Sequence, residues 1–240
     1  MDTAVTVKSL VRNYGSLTAV DNISFNIHPD EIFALIGPNG SGKTTTLRVI
    51  ATLLKPSAGS VSVFGLDVVK QAAAVRKVIS YLPEEAGAYR NLSGLDYLRF
   101  MATFYTKDTA ERDRLVERGK ELADLGRRIN DKVSTYSKGM VRKLLLARAL
   151  MTEPKLAILD EPTSGLDVEN STEIRQRIKD FARKGTTVLL SSHNMLEVEF
   201  LSHRVAIIRQ GRIIALGTPA ELKSQYTSPN LEEVFLKVAR

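Results

Sequence analysis

Short apolar runs without alternation recur along the chain at residues 32–36, 156–159 and 186–192. Runs of this length are typical of strands that are buried on both faces of a parallel sheet. Helical periodicity follows two of these runs, at residues 44–54 and 168–181. Strands that alternate with helices predict an α/β fold built on a mostly parallel sheet.

Two other parts of the chain depart from this pattern. Near the N-terminus, residues 5–12 and 22–27 roughly alternate apolar and polar side chains, which predicts an antiparallel β subdomain of half-buried strands. Between residues 86 and 150 the chain becomes helical in pattern and rich in charge, with Ser93 and Ser137 placed as helix N-caps. We therefore expect a helical subdomain inserted in the α/β core.

The C-terminal part is expected to form a hairpin and then helices. Residues 205–215 predict the β-hairpin. Thr218 has the type and position of a helix N-cap, and residues 230–239 place apolar side chains on one helix face. We expect one domain over residues 1–240, with a helical extension at about 218–240.

Composition narrows the class of protein. A chain of 240 residues with 43% apolar residues can bury a sizeable core. No stretch approaches about 18 uncharged apolar residues, so no membrane span is predicted, and residues 1–6 lack the features of a signal peptide. Cysteine is absent, which excludes disulfides, thiol nucleophiles and Cys-based metal sites. The net charge of +7 is spread along the chain and only 6% of residues are aromatic, so nucleic acid is not an expected partner.

The turn after the first buried run matches a phosphate-binding pattern, G-x-x-x-x-G-K-[ST]. Its glycines let backbone N–H groups turn inward, and the following helix would place phosphates at its positive N-terminus. Lys43 would contact the β- and γ-phosphates, and Thr44 would offer a hydroxyl to Mg²⁺. An ordinary glycine-rich turn is the alternative, which the flanking strand and helix patterns disfavour. The expected nucleotide-binding residues of this loop are Gly37, Pro38, Asn39, Gly40, Ser41, Gly42, Lys43, Thr44 and Thr45.

Two carboxylates, Asp160 and Glu161, follow the second buried run directly. The carboxyl ends of parallel strands are where open α/β sheets bind ligands. Asp160 could hold Mg²⁺ through water, and Glu161 could polarise an attacking water. An acidic N-cap for the next helix is the alternative, but it explains one carboxylate better than two. His193 ends the third run on the same edge, where it could contact a γ-phosphate, although a lone His at a strand end is more often structural.

Tyr14 lies beside Gly15 in a predicted turn, where its ring could stack on a base. Taken alone, the residue is better explained as a half-buried Tyr that covers a sheet edge. A further motif, Tyr-Ser-Lys-Gly-Met at residues 136–140, precedes a predicted helix and the two carboxylates. With these motifs in this order, essentially the whole chain resembles the ATP-binding subunit of an ABC transporter. Ser137 and Gly139 match the family's Leu-Ser-Gly-Gly-Gln signature, whereas the flanking and third positions differ.

The resemblance implies roles for individual residues. Ser137 and Gly139 would contact the γ-phosphate held by a second subunit, which suits a hydroxyl at a helix N-terminus. Tyr14 would stack on adenine, Glu161 would be the general base and His193 the switch histidine. The implied activity is hydrolysis of ATP to ADP and phosphate, with Mg²⁺ as cofactor.

Two features refine the resemblance. Glu84 stands where the family usually has a glutamine; a carboxylate can still bind Mg²⁺ or its water but adds a charge. Asp167 belongs to a loop that would face the partner subunit. The Tyr-Ser-Lys-Gly-Met signature, the Pro-Glu-Glu loop at 83–85 and the C-terminal residues 231–236 together look like the ABC-2 exporter branch.

The implied partners are a transmembrane permease subunit and a second ATP-binding subunit, either an identical copy or a close paralogue. The segment at about 84–105 would contact the permease, and the chain would lie in the cytoplasm on the inner face of the cell membrane. Two other functions remain as alternatives: a soluble ABC-type ATPase acting on nucleic acid or ribosomes, and a nucleotide-dependent interaction module. A single P-loop without sustained heptads disfavours the first alternative.

Overall fold

A computed structural model describes residues 3–238 of the chain. Residue 239 of the predicted last helix and residues 1–2 of the segment tested for a signal peptide lie outside this range. The strands are β1 (Val5–Tyr14), β2 (Leu17–Ile27), β3 (Ile32–Ile36), β4 (Ala58–Val63), β5 (Leu66–Asp67), β6 (Ile79–Leu82), β7 (Leu156–Asp160), β8 (Thr187–Ser192), β9 (Arg204–Arg209) and β10 (Arg212–Gly217). The helices are α1 (Lys43–Ile50), α2 (Ala72–Arg76), α3 (Gly94–Ala102), α4 (Thr109–Ala123), α5 (Lys138–Leu150), α6 (Val168–Arg183), α7 (Met195–Leu201), α8 (Pro219–Gln225) and α9 (Leu231–Val238).

The larger sheet has the strand order β10-β9-β3-β8-β7-β6. From β9 to β6 its neighbouring strands are parallel, and β10 joins the β9 edge as the antiparallel arm of the predicted hairpin. Every residue of β3, β7 and β8 is buried, which explains why their sequences are apolar without alternation. The predicted mostly parallel sheet is confirmed, and its strands end together on one edge.

The smaller sheet is the predicted N-terminal antiparallel subdomain, with the order β2-β1-β4-β5. β1 and β2 form a hairpin in which Tyr14 pairs with Leu17 across a two-residue turn. β4 begins at Ala58, because its backbone pairs with β1, where Val11 lies opposite Ala58.

Helices α3, α4 and α5 lie between β6 and β7, as expected for a helical insertion in the core. Ser93 and Ser137 are the N-caps of α3 and α5, and each hydroxyl accepts a backbone N–H three residues on. α1 ends at Ile50 instead of residue 54, because Thr52 adopts a left-handed backbone with φ 65°. The exact bounds of the insertion and of the single domain stay predictions.

Two apolar cores cover the two faces of the parallel sheet. In β3, Phe33 and Leu35 face the antiparallel sheet and α1, whereas Ile32 and Ile36 face the helices of the other side. Phe25 of β2 stacks on Phe33 with ring centroids 5.3 Å apart, which joins the two sheets. Both faces of the sheet are therefore covered by packed side chains. The loops that follow the strands lie at the carboxyl edge of the sheet.

The C-terminal part of the described chain forms α8 and α9. Thr218 is the N-cap of α8 as the sequence predicts, and in the structure it forms a capping box with Glu221. Both helices pack on the same side of the molecule as α7. Within residues 3–238 no helix combines the length and apolar character needed to cross a membrane.

Candidate functional site

The loop between β3 and α1 is fixed by backbone contacts on three sides. Gly37 donates to Ser192 O at the end of β8, and Gly211 of the β9–β10 turn donates to Ser41 O at 2.9 Å. Glycine is required at residue 42, where φ is 108° and a Cβ would lie 2.6 Å from Ala19 O. At residue 37 a Cβ would collide with Ile208 O. The loop thus approaches neighbouring backbone too closely for side chains.

Lys43, the first residue of α1, folds its side chain back under this loop. Its ammonium donates to Gly37 O at 2.8 Å and Pro38 O at 3.2 Å, and only 5% of the residue is exposed. The loop borders a cavity of about 370 Å³, which Tyr14 and Glu84 also line. The Arg12 guanidinium lies 4.7 Å from the centre of the Tyr14 ring. The structure therefore brings Tyr14, distant in sequence, to the loop between β3 and α1.

Asp160, the last residue of β7, is 1% exposed and lies against the start of α1. Its Oδ1 accepts from Thr44 Oγ1 at 3.1 Å and from Ser191 Oγ at 2.5 Å, and its Oδ2 accepts from Tyr81 OH at 3.4 Å. Burial, together with the neighbouring Asp160 carboxylate, raises the pKa of Tyr81. A hydrogen bond to Tyr81 raises the pKa of Arg48. These contacts fix the carboxylate beside the Thr44 hydroxyl.

Glu161 turns the chain sharply at the end of β7. Its φ of 47° is left-handed, which costs a residue with a Cβ about 1–2 kcal/mol. The turn aims a 4% exposed side chain at the loop, and its Oε1 lies 3.4 Å from Lys43 Nζ. Its Oε2 lies 2.9 Å from His193 Nδ1 and 3.3 Å from the His193 backbone nitrogen. Because an ionised carboxylate only accepts, Nδ1 carries the proton in this arrangement.

Of the other predicted residues, Glu84 reaches this edge, and its Oε1 accepts from Ser164 Oγ at 3.4 Å. Ser137 and Gly139 lie at the start of α5 and do not line the cavity of the loop. Ser137 is exposed and caps its own helix, accepting from Met140 N at 3.2 Å. Gly139 is buried beneath the Asn170 side chain, so a Cβ at this position would require that side chain to move.

Three residues of the site were missed by the sequence analysis: Ser191, Tyr81 and Arg142. Ser191 joins both carboxylate residues, since its Oγ donates to Asp160 and accepts from the Glu161 N–H at 3.0 Å. Arg142 of α5 is 6% exposed and donates to backbone carbonyls beside Glu84 and Glu161. Its position on the apolar stripe of α5, three and four residues before Leu145 and Leu146, is a signal that could have found it.

The fold and this edge together define a nucleotide-binding α/β protein. A family model described as ABC transporter matches residues 20–164. The daunorubicin resistance ATP-binding protein DrrA3 of Streptomyces coeruleorubidus is 38% identical over 98% of this chain and 74% of the relative. The linearmycin resistance ATP-binding protein LnrL of Bacillus subtilis (strain 168) is 36% identical over 97% of this chain and 78% of the relative.

A solved structure of the ATP-binding subunit of an ABC transporter superimposes with a TM-score of 0.87 at 30% identity, covering 99% of this chain and 100% of the other. The chain therefore belongs to the ABC transporter family. Within the family it is an ATP-binding subunit with ATPase activity. Subunits of this kind dimerise and pair with transmembrane subunits.

Proposed function

We propose that this chain powers an exporter, in which two ATP-binding subunits close on two ATP molecules, hydrolyse them and reopen against a transmembrane permease. The observation that carries the hydrolytic part is Glu161, held between Lys43 and His193 at the phosphate-binding loop. Export is supported by the names of relatives: two are resistance proteins, and a third, at 34% identity over 98% of this chain, is a Nod factor export protein of Paraburkholderia xenovorans (strain LB400).

In this proposal the loop after β3 binds the phosphates through its backbone N–H groups and the Lys43 ammonium. A donor set of this kind, at a helix N-terminus, suits a polyanion. Tyr14 lines the same cavity and stacks on the adenine. The phosphate-binding residues are Gly37, Pro38, Asn39, Gly40, Ser41, Gly42, Lys43, Thr44 and Thr45.

Thr44 and Asp160 fit a Mg²⁺ ion that arrives with the nucleotide. Their oxygens lie 3.1 Å apart at the mouth of the loop, and Mg²⁺ is usually held by one or two carboxylates together with substrate phosphates. Glu84, which lines the cavity, is a further oxygen donor through water. The ion, when bound, would neutralise charge on the transferred phosphoryl group.

For hydrolysis, Glu161 accepts a proton from the attacking water while the water oxygen bonds to the γ-phosphorus. The bond from that phosphorus to the β–γ bridging oxygen breaks, which gives ADP and phosphate. Glu161 Oε1 is buried and accepts no hydrogen bond of standard geometry among the described residues, and the Lys43 ammonium lies 3.4 Å from it. His193 holds Oε2 and thereby fixes the direction of the carboxylate.

Closure of the pair requires contacts made through the γ-phosphate. Ser137 and Gly139 at the start of α5 would bind the γ-phosphate of the partner's ATP, and Asp167 lies in the facing loop. Moving an equilibrium from 1:99 to 99:1 takes about 5.5 kcal/mol. Charge-assisted hydrogen bonds contribute about 1.5–3 kcal/mol each, so about two such contacts at each of two sites are enough. The partner is an identical copy or a close paralogue.

The permease would dock on the segment at about 84–105, from the cytoplasmic side of the membrane. This segment carries exposed aromatic rings: Tyr89 contacts Phe100 with centroids 5.5 Å apart, and Phe100 contacts Phe104 at 5.2 Å. Exposed rings in mutual contact form an apolar patch of the kind that marks protein–protein interfaces. We propose no nucleic-acid partner.

The decisive experiment compares wild-type protein with Glu161→Gln in phosphate release and in solution mass, with and without ATP. Glu161→Gln should lower kcat by about 10²–10⁴-fold, because a general base contributes this much. It should also form a dimer of the 26.5 kDa chain when ATP is added. Glu117→Gln, on the exposed face of α4, is the control. A Glu161→Gln protein that hydrolyses ATP at the wild-type rate would exclude Glu161 as the base.

A further inference from the structure

Arg142 occupies an unusual place for a charged side chain. It is 6% exposed, and its guanidinium lies where α5 passes the loops that follow β6 and β7. Each of its hydrogen bonds in the described part of the chain ends on a backbone carbonyl rather than on a carboxylate. The acceptors are Pro83 O (3.4 Å), Glu84 O (3.2 Å), Asp160 O (3.4 Å), Glu161 O and Pro162 O (2.7 Å).

This arrangement is costly if its purpose is only to fill space. Burial lowers the pKa of Arg142, while the charges of Glu84, Asp160 and Glu161 oppose that effect. Even a whole buried ion pair can often be replaced by apolar side chains of similar volume without loss of stability. What an apolar side chain cannot supply is a planar fork of five donors that fixes several carbonyl groups at once.

The carbonyl that matters most belongs to Glu161. This residue has a left-handed backbone, and such a conformation persists only when its surroundings determine it. Its N–H donates to Ser191 Oγ at 3.0 Å, and its carbonyl accepts from Arg142. With both backbone groups held, the turn directs the carboxylate to Lys43 on one side and His193 on the other.

From these contacts we infer that Arg142 is a positioning residue for ATP hydrolysis, which acts by fixing the backbone turn of Glu161. The inference rests on the proposed function of Glu161 as the base. Arg142 touches neither the phosphate-binding loop nor Tyr14 in any described contact, and it reaches Glu84 and Asp160 only through their backbone carbonyls, so its loss should change nucleotide affinity far less than kcat. It binds the backbone on both sides of Glu161 and so controls where the carboxylate points.

The position of Arg142 on α5 gives this role a second consequence. Ser137, the N-cap of α5, lies five residues earlier, which is roughly 7.5 Å along a rigid helix. A displacement of this helix start therefore moves the guanidinium and, through it, the carbonyls of Glu84 and Glu161. Arg142 thus links the N-terminus of α5, where Ser137 lies, to the position of Glu161 during ATP hydrolysis.

The test is steady-state ATP hydrolysis by the full chain carrying Arg142→Met or Arg142→Lys. Arg142→Met should lower kcat about 100-fold, the loss that a misplacement of about 1 Å can cause. The KM for ATP should change by less than about threefold, since only a transition-state interaction is lost. Arg142→Lys keeps the charge and three donors, so its kcat should lie between those of Arg142→Met and wild type.

The matched control is Arg148→Met, which removes another arginine of α5. Arg148 donates to Tyr81 O of β6 at 3.5 Å and touches neither loop, so its loss should leave kcat within about threefold of wild type. An Arg142→Met kcat within that same range would overturn the inference. So would a KM that rises in step with the fall in kcat. If Arg142→Met does not fold, Arg142→Lys decides by the same two criteria.

Glu161→Gln separates this inference from the proposed function. An inactive Glu161→Gln protein beside a fully active Arg142→Met protein leaves the base assignment intact and overturns the role of Arg142. An active Glu161→Gln protein removes the base assignment. A loss of kcat in Arg142→Met would then also overturn the inference, because Arg142 could not act through Glu161.

Discussion

Two helix N-termini carry residues that we propose bind ATP, and they differ in how many of the surrounding contacts this chain itself supplies. At the start of α1, Lys43, Asp160 and Glu161 are at most 5% exposed and contact side chains from several strand ends. At the start of α5, Ser137 is exposed and caps its own helix. The side chains at the start of α1 are held in place by contacts within this chain. The start of α5, in contrast, lies exposed on the surface. The two should therefore respond to mutation in different assays.

The largest expected effect comes from Lys43→Ala. Removing the ammonium takes away a buried cation beside the loop carbonyls and Glu161, so hydrolysis should fall by about 10³-fold. Phosphate release and binding of a labelled nucleotide by the single chain measure this. Lys77→Ala, at an exposed helix end, controls for loss of a positive charge. Turnover within about tenfold of wild type would show that the α1 site does not depend on its own lysine.

Ser137→Ala should have an intermediate effect that appears only when two subunits meet. Each of the two sites in a dimer of the variant loses one charge-assisted hydrogen bond of about 1.5–3 kcal/mol, which should weaken ATP-dependent dimer formation by roughly 10- to 100-fold per site. ATP binding by the single chain should be unchanged, and loss of the cap should cost about 1 kcal/mol of stability. Sedimentation with increasing ATP measures the first quantity.

Ser93→Ala is the matched control for Ser137→Ala, because Ser93 caps α3 in the same way, accepting from Asp96 N at 3.0 Å. It should lose similar stability and keep wild-type dimer formation. Equal weakening of the dimer by both variants would mean that Ser137 acts only as a cap. The start of α5 would then have no role in joining two subunits, and its proposed difference from the start of α1 would be lost.

A smaller effect is expected from Gly139→Ala, which tests how far the chain itself constrains the signature. The new Cβ would meet the Asn170 side chain, which lies at the end of a flexible group and can move. We expect a loss of about 1 kcal/mol in the free energy of unfolding. Asn170→Ala in the same chain should restore most of it, as denaturant unfolding would reveal. If the double variant does not regain stability, the loss in Gly139→Ala does not come from the contact with the Asn170 side chain.

The smallest effect concerns pH at the N-cap of α6. The Asn170 backbone N–H lowers the pKa of Asp167 below its ordinary value of 3.8. The carboxylate therefore contributes stability above that value and loses it as pH falls toward the lowered pKa. Asp167→Asn should remove this dependence between about pH 5 and 3, a change of less than about 2 °C in Tm. Thermal unfolding of both proteins across that range measures it, and parallel curves would contradict the assignment.

The local parts of this structure were predictable because they depend on neighbouring residues. The Ser137 and Thr218 caps and the burial of β3 follow from residue type and short patterns. The start of β4 at Ala58 was not predictable in the same way, because its strand state comes from pairing with β1. α7 at Met195–Leu201 was also missed; its seven residues are too few to show a clear helical period.

The residues of the candidate site also fall into a predictable group, marked by sequence motifs, and a group that depends on contacts between distant segments. Motif spacing places Lys43 and Glu161 in one region, and the structure gives their ammonium and carboxylate a distance of 3.4 Å. Arg142 and Ser191 were missed, because their functional contacts join segments far apart in sequence. Arg142 contacts carbonyl oxygens, which every residue carries, so no side-chain motif marks its partners. The position of Arg142 on the apolar stripe of α5 could have marked it as buried, but the carbonyls that it binds become known only with the fold.

The order of strands has a consequence for how the protein is made. β3 lies between β8 and β9, with Ile32 opposite Val188 and Phe33 opposite Arg204. More than 150 residues of chain are therefore synthesised after β3 before either neighbour emerges, which takes roughly 8–30 s at 5–20 residues per second. During that interval the most apolar strand of the nucleotide site has no lateral partner. A growing chain of this protein should therefore be a good client for ribosome-associated chaperones until residue 209 has left the exit tunnel.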